Sequence, residues 1–319
     1  MNINDLFSET IKAAYGSEKG ISSKLSEVLP LGLDSIYRRL GGKAHFTLEE
    51  AVLVARHLNI SLDALYLDNV REKASFQVNL IDIEDPACNY YNLLAGYVDI
   101  LTTLKDVPDI SLHSAFNIIP YSFIVIHDLT SKFHLYKWLY LVKGIDYKTT
   151  LAQYRTPENI RKIERQFRNE TRNKKKVSFV LDRNIFAAFA KDIALFVELE
   201  LVSQQEKEIL KKELLDILSA VEATAITGYY SSGSEVTFYL ANITFDASYT
   251  LFESEGFEMS HLRVFSINGI DSYNPEICKM CRVWLSALQD NSTLITRSDS
   301  THRSIYFKEQ RNQINKILK

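Results

Sequence analysis

Residues able to do chemistry are few in this chain, and most stand alone. Cys278 and Cys281 form a CxxC pair, the spacing of structural zinc sites and of thiol redox centres. A structural zinc takes four ligands, and no second CxxC or HxxxH supplies the others. Cys88, His261 and His302 join such a set only if the fold gathers them. A redox pair belongs at the head of a helix that follows a strand, whereas these two thiols fall inside a predicted helix, on a face shared with Trp284 and Leu285. They read as small buried residues, so neither a metal nor a cofactor is expected. His113, His127 and His134 surround an aromatic-rich segment. Single histidines of this kind are more often half-buried structural residues than acid–base catalysts. Glycine-rich phosphate-binding signatures and HExxH are absent, and the chain is expected not to be an enzyme.

The other candidates are two adjacent arginines in the stretch LDSIYRRLGGK, residues 33–43. At about 100° per residue, Leu33, Ile36 and Leu40 form the buried stripe of a helix. Arg38 points nearly opposite that stripe, with Asp34 and Ser35 beside it and Tyr37 and Arg39 on the flanks. A guanidinium at Arg38 suits bidentate bonding to a guanine edge, and Ser35 suits a base or a phosphate. Asp34 either accepts from a cytosine amino group or settles the helix N-terminus. Arg39 and Lys43 are placed for phosphates, which position a protein without specifying sequence. Tyr37 suits a phosphate or a thymine methyl. The alternative is a solvated helix face that carries two arginines.

The elements around this helix are helical too. An amphipathic stretch to about Tyr15 carries Ile3, Leu6, Phe7, Ile11 and Ala14, and Gly16 and Gly20 bracket a break. Ile21, Leu25 and Val28 share the face of a second helix, which Pro30 and Gly32 interrupt. Gly41-Gly42 ends the third helix as a left-handed cap. Thr47 and Glu50 form a capping box for a fourth, with Ala51, Val52, Ala55 and Leu58 as its buried face. Asn59 closes it, and Ser61 caps a short fifth helix with Leu62, Leu65 and Tyr66.

Five short helices with a tight turn between the second and third resemble the Cro and lambda-repressor-like DNA-binding domains. SSKLSEVLPLGLDSIYRRLGG and FTLEEAVLVARHLNISLDALY carry the resemblance. It implies a helix-turn-helix domain over residues 1–70, double-stranded DNA as partner, and a homodimer acting on paired half-sites.

The net charge of −3 excludes a protein that binds nucleic acid through bulk positive charge, so any DNA contact is local. With 319 residues, 46% of them apolar, the chain can build two or three cored domains. Its strongest apolar run, Ala115–Ile126, is far short of the roughly 20 residues of a membrane span. The first residues lack a secretory apolar core, and three cysteines suit a reducing compartment. No membrane partner and a cytoplasmic location are expected.

Beyond the polar joint DNVREKAS, helical patterns dominate, with strand-like stretches at SFQVNL and SLHSAFNIIP. The segment from Arg155 to Lys176 holds nine basic residues against three acidic. It can brace DNA backbone, hold an anionic effector, or be a solvated helix with a charged loop. Leu210, Leu214, Ile217 and Val221 give one long helix a stripe suited to another helix, within the chain or across a dimer. Near Gly228 the period changes to alternating strands. The expected architecture is mainly α: the DNA-binding domain, a mainly helical middle region over 75–225 for dimerisation or sensing, and a small α+β module over 226–319 with an antiparallel sheet. SYTLFESEGFEMSHLRVFSINGIDSYN, VWLSALQDNSTLIT and IYFKEQRNQI resemble uncharacterised helix-turn-helix regulators of Bacteroides-type bacteria. The expected function is sequence-specific transcriptional regulation, with a small-molecule effector in an aromatic-lined pocket between Phe116 and Tyr140. A protein-interaction adaptor and an enzyme fused to a DNA-binding head are the alternatives.

Overall fold

A computed structural model describes residues 2–15, 20–58, 62, 65, 76–78, 84–104, 110–144, 148–264 and 266–319. The chain divides into two compact units, Met1–Phe76 and Gln77–Lys319.

The first unit contains α1 (Ile3–Tyr15), α2 (Ile21–Ser26), α3 (Leu33–Leu40) and α4 (Leu48–Leu58). Its core gathers Phe7, Ile11, Leu25, Ile36 and Val54, and Phe7 meets Phe46 edge to face at 5.3 Å. The capping box at α4 forms: the Glu50 N–H donates to Thr47 Oγ1 at 3.2 Å, and the Thr47 N–H donates to the Glu50 carboxylate at 2.9 Å. After α3 the chain turns at Gly42, whose φ of 72° is left-handed, a conformation that costs a residue without Cβ little.

Three inward assignments are corrected. Ile3, in the first turn of α1, is 51% exposed. Leu33 is 49% exposed, because the core takes Ile36 and Leu40 from α3 rather than its first residue. Val52 is exposed as well. The buried stripe of α4 runs through Ala51, Val54, Ala55 and Leu58 at i, i+3, i+4, i+7, which turns Val52 outward. Of the fifth helix expected at Ser61–Tyr66, Leu65 is buried and Leu62 packs against the core. Ser61 and Tyr66 lie outside the described residues, as do the joint at 68–75 and Leu80.

Among the described residues the second unit is built on one mixed sheet of eight strands, in the order β1-β7-β6-β5-β2-β3-β4-β8. The strands are β1 (Gln77–Val78), β2 (Ser111–Phe116), β3 (Lys176–Leu181), β4 (Glu235–Ala241), β5 (Tyr249–Ser254), β6 (Phe257–Val264), β7 (Asn268–Ser272) and β8 (Ser292–Leu294). The helices are α5 (Pro86–Thr103), α6 (Tyr121–Ile124), α7 (Asp128–Lys143), α8 (Glu158–Arg172), α9 (Ile185–Glu198), α10 (Gln204–Thr227), α11 (Pro275–Asp290) and α12 (Ser300–Ile317). At the centre β2, β3 and β4 run parallel. Parallel neighbours need long crossovers, and α6–α8 and α9–α10 supply them. An antiparallel meander, β5–β6–β7, extends the sheet from β2.

Alternation along the strands divides the side chains between two layers. Ala115, Val180 and Leu251 face α11, where Cys278, Leu285 and Leu288 close a small core. On the opposite face Phe179 and Phe238 stack at 5.3 Å within the main core, to which α5–α10 and α12 contribute.

The expected mainly α architecture with a small C-terminal antiparallel module is therefore overturned. Strands β2 and β3, from the segment read as mainly helical, lie between β5 and β4. The sheet is large, mixed and continuous across residue 225. The physical reason is β3, KVSFVL, which is buried on both faces. Such a strand shows an unbroken apolar run rather than alternation. The stripe Leu210–Leu214–Ile217–Val221 is buried within this unit. Among the described residues no helix is long and apolar enough to cross a membrane.

Candidate functional site

In the first unit, α3 stands with Ile36 and Leu40 inward and a polar face outward. Asp34, Tyr37, Arg38 and Lys43 are exposed, and Ser35 is partly so; Tyr37 reaches 63%. Among the described residues the Arg38 side chain has no partner. Its backbone carbonyl accepts from the Lys43 N–H at 2.7 Å, which folds the loop carrying Lys43 back over the end of α3.

Arg39 behaves differently. Its Nε and Nη2 donate to the two oxygens of Glu50 at 2.8 and 2.9 Å, and its Nη1 donates to the Ser35 carbonyl at 3.2 Å. Both side chains are largely buried, at 16% and 12% exposed. Burial alone would raise the Glu50 carboxyl, but hydrogen bonds from Arg39 and Thr47, with the guanidinium charge, hold it below its ordinary value. The carboxylate that caps α4 thus also clamps α3. This leaves Arg39 a positioning group, with Arg38, Tyr37, Ser35, Asp34 and Lys43 as the outward set.

The second unit scatters the remaining sequence candidates. Cys278 is buried, and its thiol donates to the Ser272 carbonyl at 3.7 Å. Burial pushes both thiols up, Cys281 to about 11, so neither is a ready thiolate. Trp284 does not share their face but is half exposed. Among the described residues no group of histidine, cysteine and carboxylate side chains could hold a metal. The basic segment becomes α8, which turns Ile160, Ile163 and Glu164 inward and leaves Arg161, Lys162 and Arg165 in solvent. Pro157 is its N-cap.

The three histidines are separated. His127 caps α7, and His134 is buried within that helix. His113 stands on β2, on the sheet face toward α11. There its Nδ1 is 2.9 Å from Ser178 Oγ and its Nε2 3.7 Å from Glu253. Burial lowers the His113 pKa, and Glu253 acts the other way. A serine, a histidine and a carboxylate are the parts of an acyl-transfer set, but an oxyanion needs aimed donors as well. The N–H groups flanking Ser178 lie in the plane of the sheet, between β2 and β4, and do not point at its hydroxyl. Gln289 also donates to that hydroxyl at 3.2 Å.

The opposite sheet face carries a feature the sequence does not announce. Ser114, Thr250, His261 and Asp271 are successive cross-strand partners on β2, β5, β6 and β7, forming a polar row across an apolar face. Ser114 Oγ and Thr250 Oγ1 are 3.1 Å apart. His261 Nδ1 lies 2.7 Å from Asp271 and 3.3 Å from the Tyr97 hydroxyl. Two residues along β6, Arg263 points to the same side. Ser114, Thr250, His261 and Arg263 form part of the wall of a cavity of about 120 Å³. Rings of Tyr90, Tyr97, Phe116, Phe167 and Phe179 line much of the remainder. Of the pocket expected between Phe116 and Tyr140, only Phe116, Tyr121 and Ser122 contribute. The other walls come mainly from β2, β3, β5, β6, α5 and α8.

Several ionisable groups in and behind these walls are displaced from ordinary behaviour. Burial pulls the Arg263 guanidinium down to about 10 and holds His134 well below its usual range, so that ring is neutral. Glu164 is buried and accepts from the Tyr90 and Tyr121 hydroxyls at 2.9 and 2.8 Å. Its burial raises the carboxyl despite the Tyr121 bond.

No family model, curated protein or solved structure matches the chain.

Proposed function

We propose that this chain is a sequence-specific DNA-binding transcriptional regulator that acts as a homodimer and reads base edges with the outward face of α3. The observation that carries the reading is the contrast between two neighbouring arginines. Arg39 is held bidentately by Glu50, while Arg38 stands exposed with no partner among the described residues. A locked scaffold beside a free planar donor suits a guanine edge. Ser35, Tyr37 and Lys43 flank Arg38 at positions suited to phosphates, and Asp34 lies toward the helix N-terminus.

Residues 1–76 hold nine Lys and Arg against ten Asp and Glu. Attraction to the DNA backbone is therefore weak, and the affinity must come from shape and paired half-sites. One recognition helix buries little DNA surface, so a second copy of the chain completes the site.

Selection of DNA from random pools by the full chain, at stated salt, tests this. The expected result is a palindrome with half-site centres about 10 base pairs apart or a multiple of that. Arg38→Ala should cost about 2 kcal/mol and relax one base position per half-site. Lys43→Ala should weaken all sequences alike and reduce the salt slope by about one unit per half-site. A folded protein that enriches no sequence would remove the reading and leave a protein-interaction adaptor in its place.

A further inference from the structure

The cavity of the second unit supports an inference that is independent of DNA reading. We infer that it binds a small monocarboxylate with an aromatic or branched apolar body, the carboxylate paired with Arg263 and the body among the rings of Tyr97, Phe116, Phe167 and Phe179.

Size sets the first limit. The cavity measures about 120 Å³, and an apolar cavity of on the order of 150 Å³ holds one benzene ring. A single ring or a branched chain fits, whereas a nucleotide or a long acyl chain does not. Its walls are mainly aromatic and aliphatic, with hydroxyls of Ser114, Thr250 and Ser122 among them. This composition suits an apolar body steered by a few polar contacts. Tyr97, Phe116, Phe167, Arg263 and Ile267 are only partly buried.

Charge sets the second limit. Arg263 lines the cavity, yet among the described residues no carboxylate forms an ion pair with it. Its Nε donates to the Ser266 carbonyl, and its Nη2 lies 3.5 Å from Nε2 of the neutral His134. The neighbouring acids are engaged elsewhere: Asp271 with His261, and Glu164 with two tyrosines. A largely desolvated cation without a counter-charge is costly, and the lowered pKa of Arg263 reflects that cost. An anion entering the cavity removes the imbalance. The guanidinium's free N–H groups match the two oxygens of a carboxylate. The Ser114–Thr250 hydroxyl pair stands on β2 and β5, two strands and one strand along from β6, where it can orient a polar substituent on the body. A cationic ligand would face like charge. A phosphate would bring a second charge for which these walls hold no further cation.

Isothermal titration of the full chain with benzoate and with benzyl alcohol, its neutral near-isostere, tests the assignment. Benzoate should bind at least about tenfold more tightly than benzyl alcohol, as expected for hydrogen bonds to a charged group. Its affinity should fall little with added salt, because a buried pair is weakly screened. Arg263→Gln should abolish the preference and retain benzyl alcohol binding. Equal affinity for the two probes would overturn the assigned carboxylate. Binding of neither at millimolar concentration would overturn the site, leaving a cavity occupied by water. If Arg263→Gln fails to fold, the comparison on the unaltered chain decides by itself. None of these outcomes depends on whether α3 reads DNA.

Discussion

In the first unit the core is assembled from Phe7, Ile11, Ile36 and Val54, and the groups able to meet a partner stand outside it on α3. In the second unit the polar row from Ser114 to Asp271, together with Arg263, Glu164 and His134, lies within or against the packed layers. Size accounts for the contrast. A domain of some 70 residues buries a modest share of its surface, and desolvating a lone charge there would consume much of its margin. The larger unit, with helices packed on both faces of its sheet, can bury a carboxylate and largely desolvate a guanidinium. Outward chemistry therefore tolerates substitution without loss of fold, while inward chemistry is tied to packing.

Gly269→Ala tests that tie most severely. A Cβ at this position would overlap the His261 ring and the Tyr97 hydroxyl, so the end of the polar row must move. The expected loss is about 3 kcal/mol, at the upper end for overpacking, read as a lowered urea midpoint. An unchanged midpoint would mean that the row is not packed as described. Arg39→Ala is next. Losing a largely buried bidentate pair should destabilise the first unit by about 2 kcal/mol, measured by thermal melting, with the DNA base preference unchanged among molecules that remain folded. A shifted preference would move Arg39 from scaffold to reader and blur the comparison.

The smallest effect belongs to His134, whose folded pKa is depressed by burial and by the charges of Arg263 and Lys137. A depressed base confers stability that is present above the unfolded pKa, near 6.5, and lost as pH falls through the folded value. Glu164 acts oppositely, because its raised carboxyl favours the fold at low pH and loses that contribution as pH rises through its folded value. The clean measurement is a difference. Relative to the unaltered chain, His134→Phe should gain stability steadily as pH drops below about 6.5. A flat difference profile would show that His134 is hydrated rather than buried.

What the sequence discloses follows the same division. Local periodicity marks α1 to α4, and the Thr47–Glu50 box is readable because both partners lie within one turn. The Arg39–Glu50 clamp is not, since it joins residues 11 apart through the angle between two helices. In the second unit the alternation of HLRV places His261 and Arg263 on one side of a strand, which is legible. That Ser114 would face Thr250 is not, because strand order decides it. Strand β3 escapes for a related reason: KVSFVL follows a run of lysines, lacks alternation and has both neighbours far away in sequence. Without it the parallel centre disappears, and the segment looks helical. The cavity depends on the same strand order, so its aromatic residues are visible individually while their enclosure is not.

The interleaved sheet also constrains how the chain can be made. Strand β2 is flanked by β3 and β5, and Ser114 meets Thr250 across 136 residues. At ordinary rates of synthesis β2 waits roughly 10 to 30 seconds for its second neighbour to leave the ribosome. Through that interval one long edge offers unpaired N–H and carbonyl groups to any other nascent strand. The β2 edge is covered only when the meander has been synthesised, so the half-built sheet is most exposed to mispairing where elongation is slow.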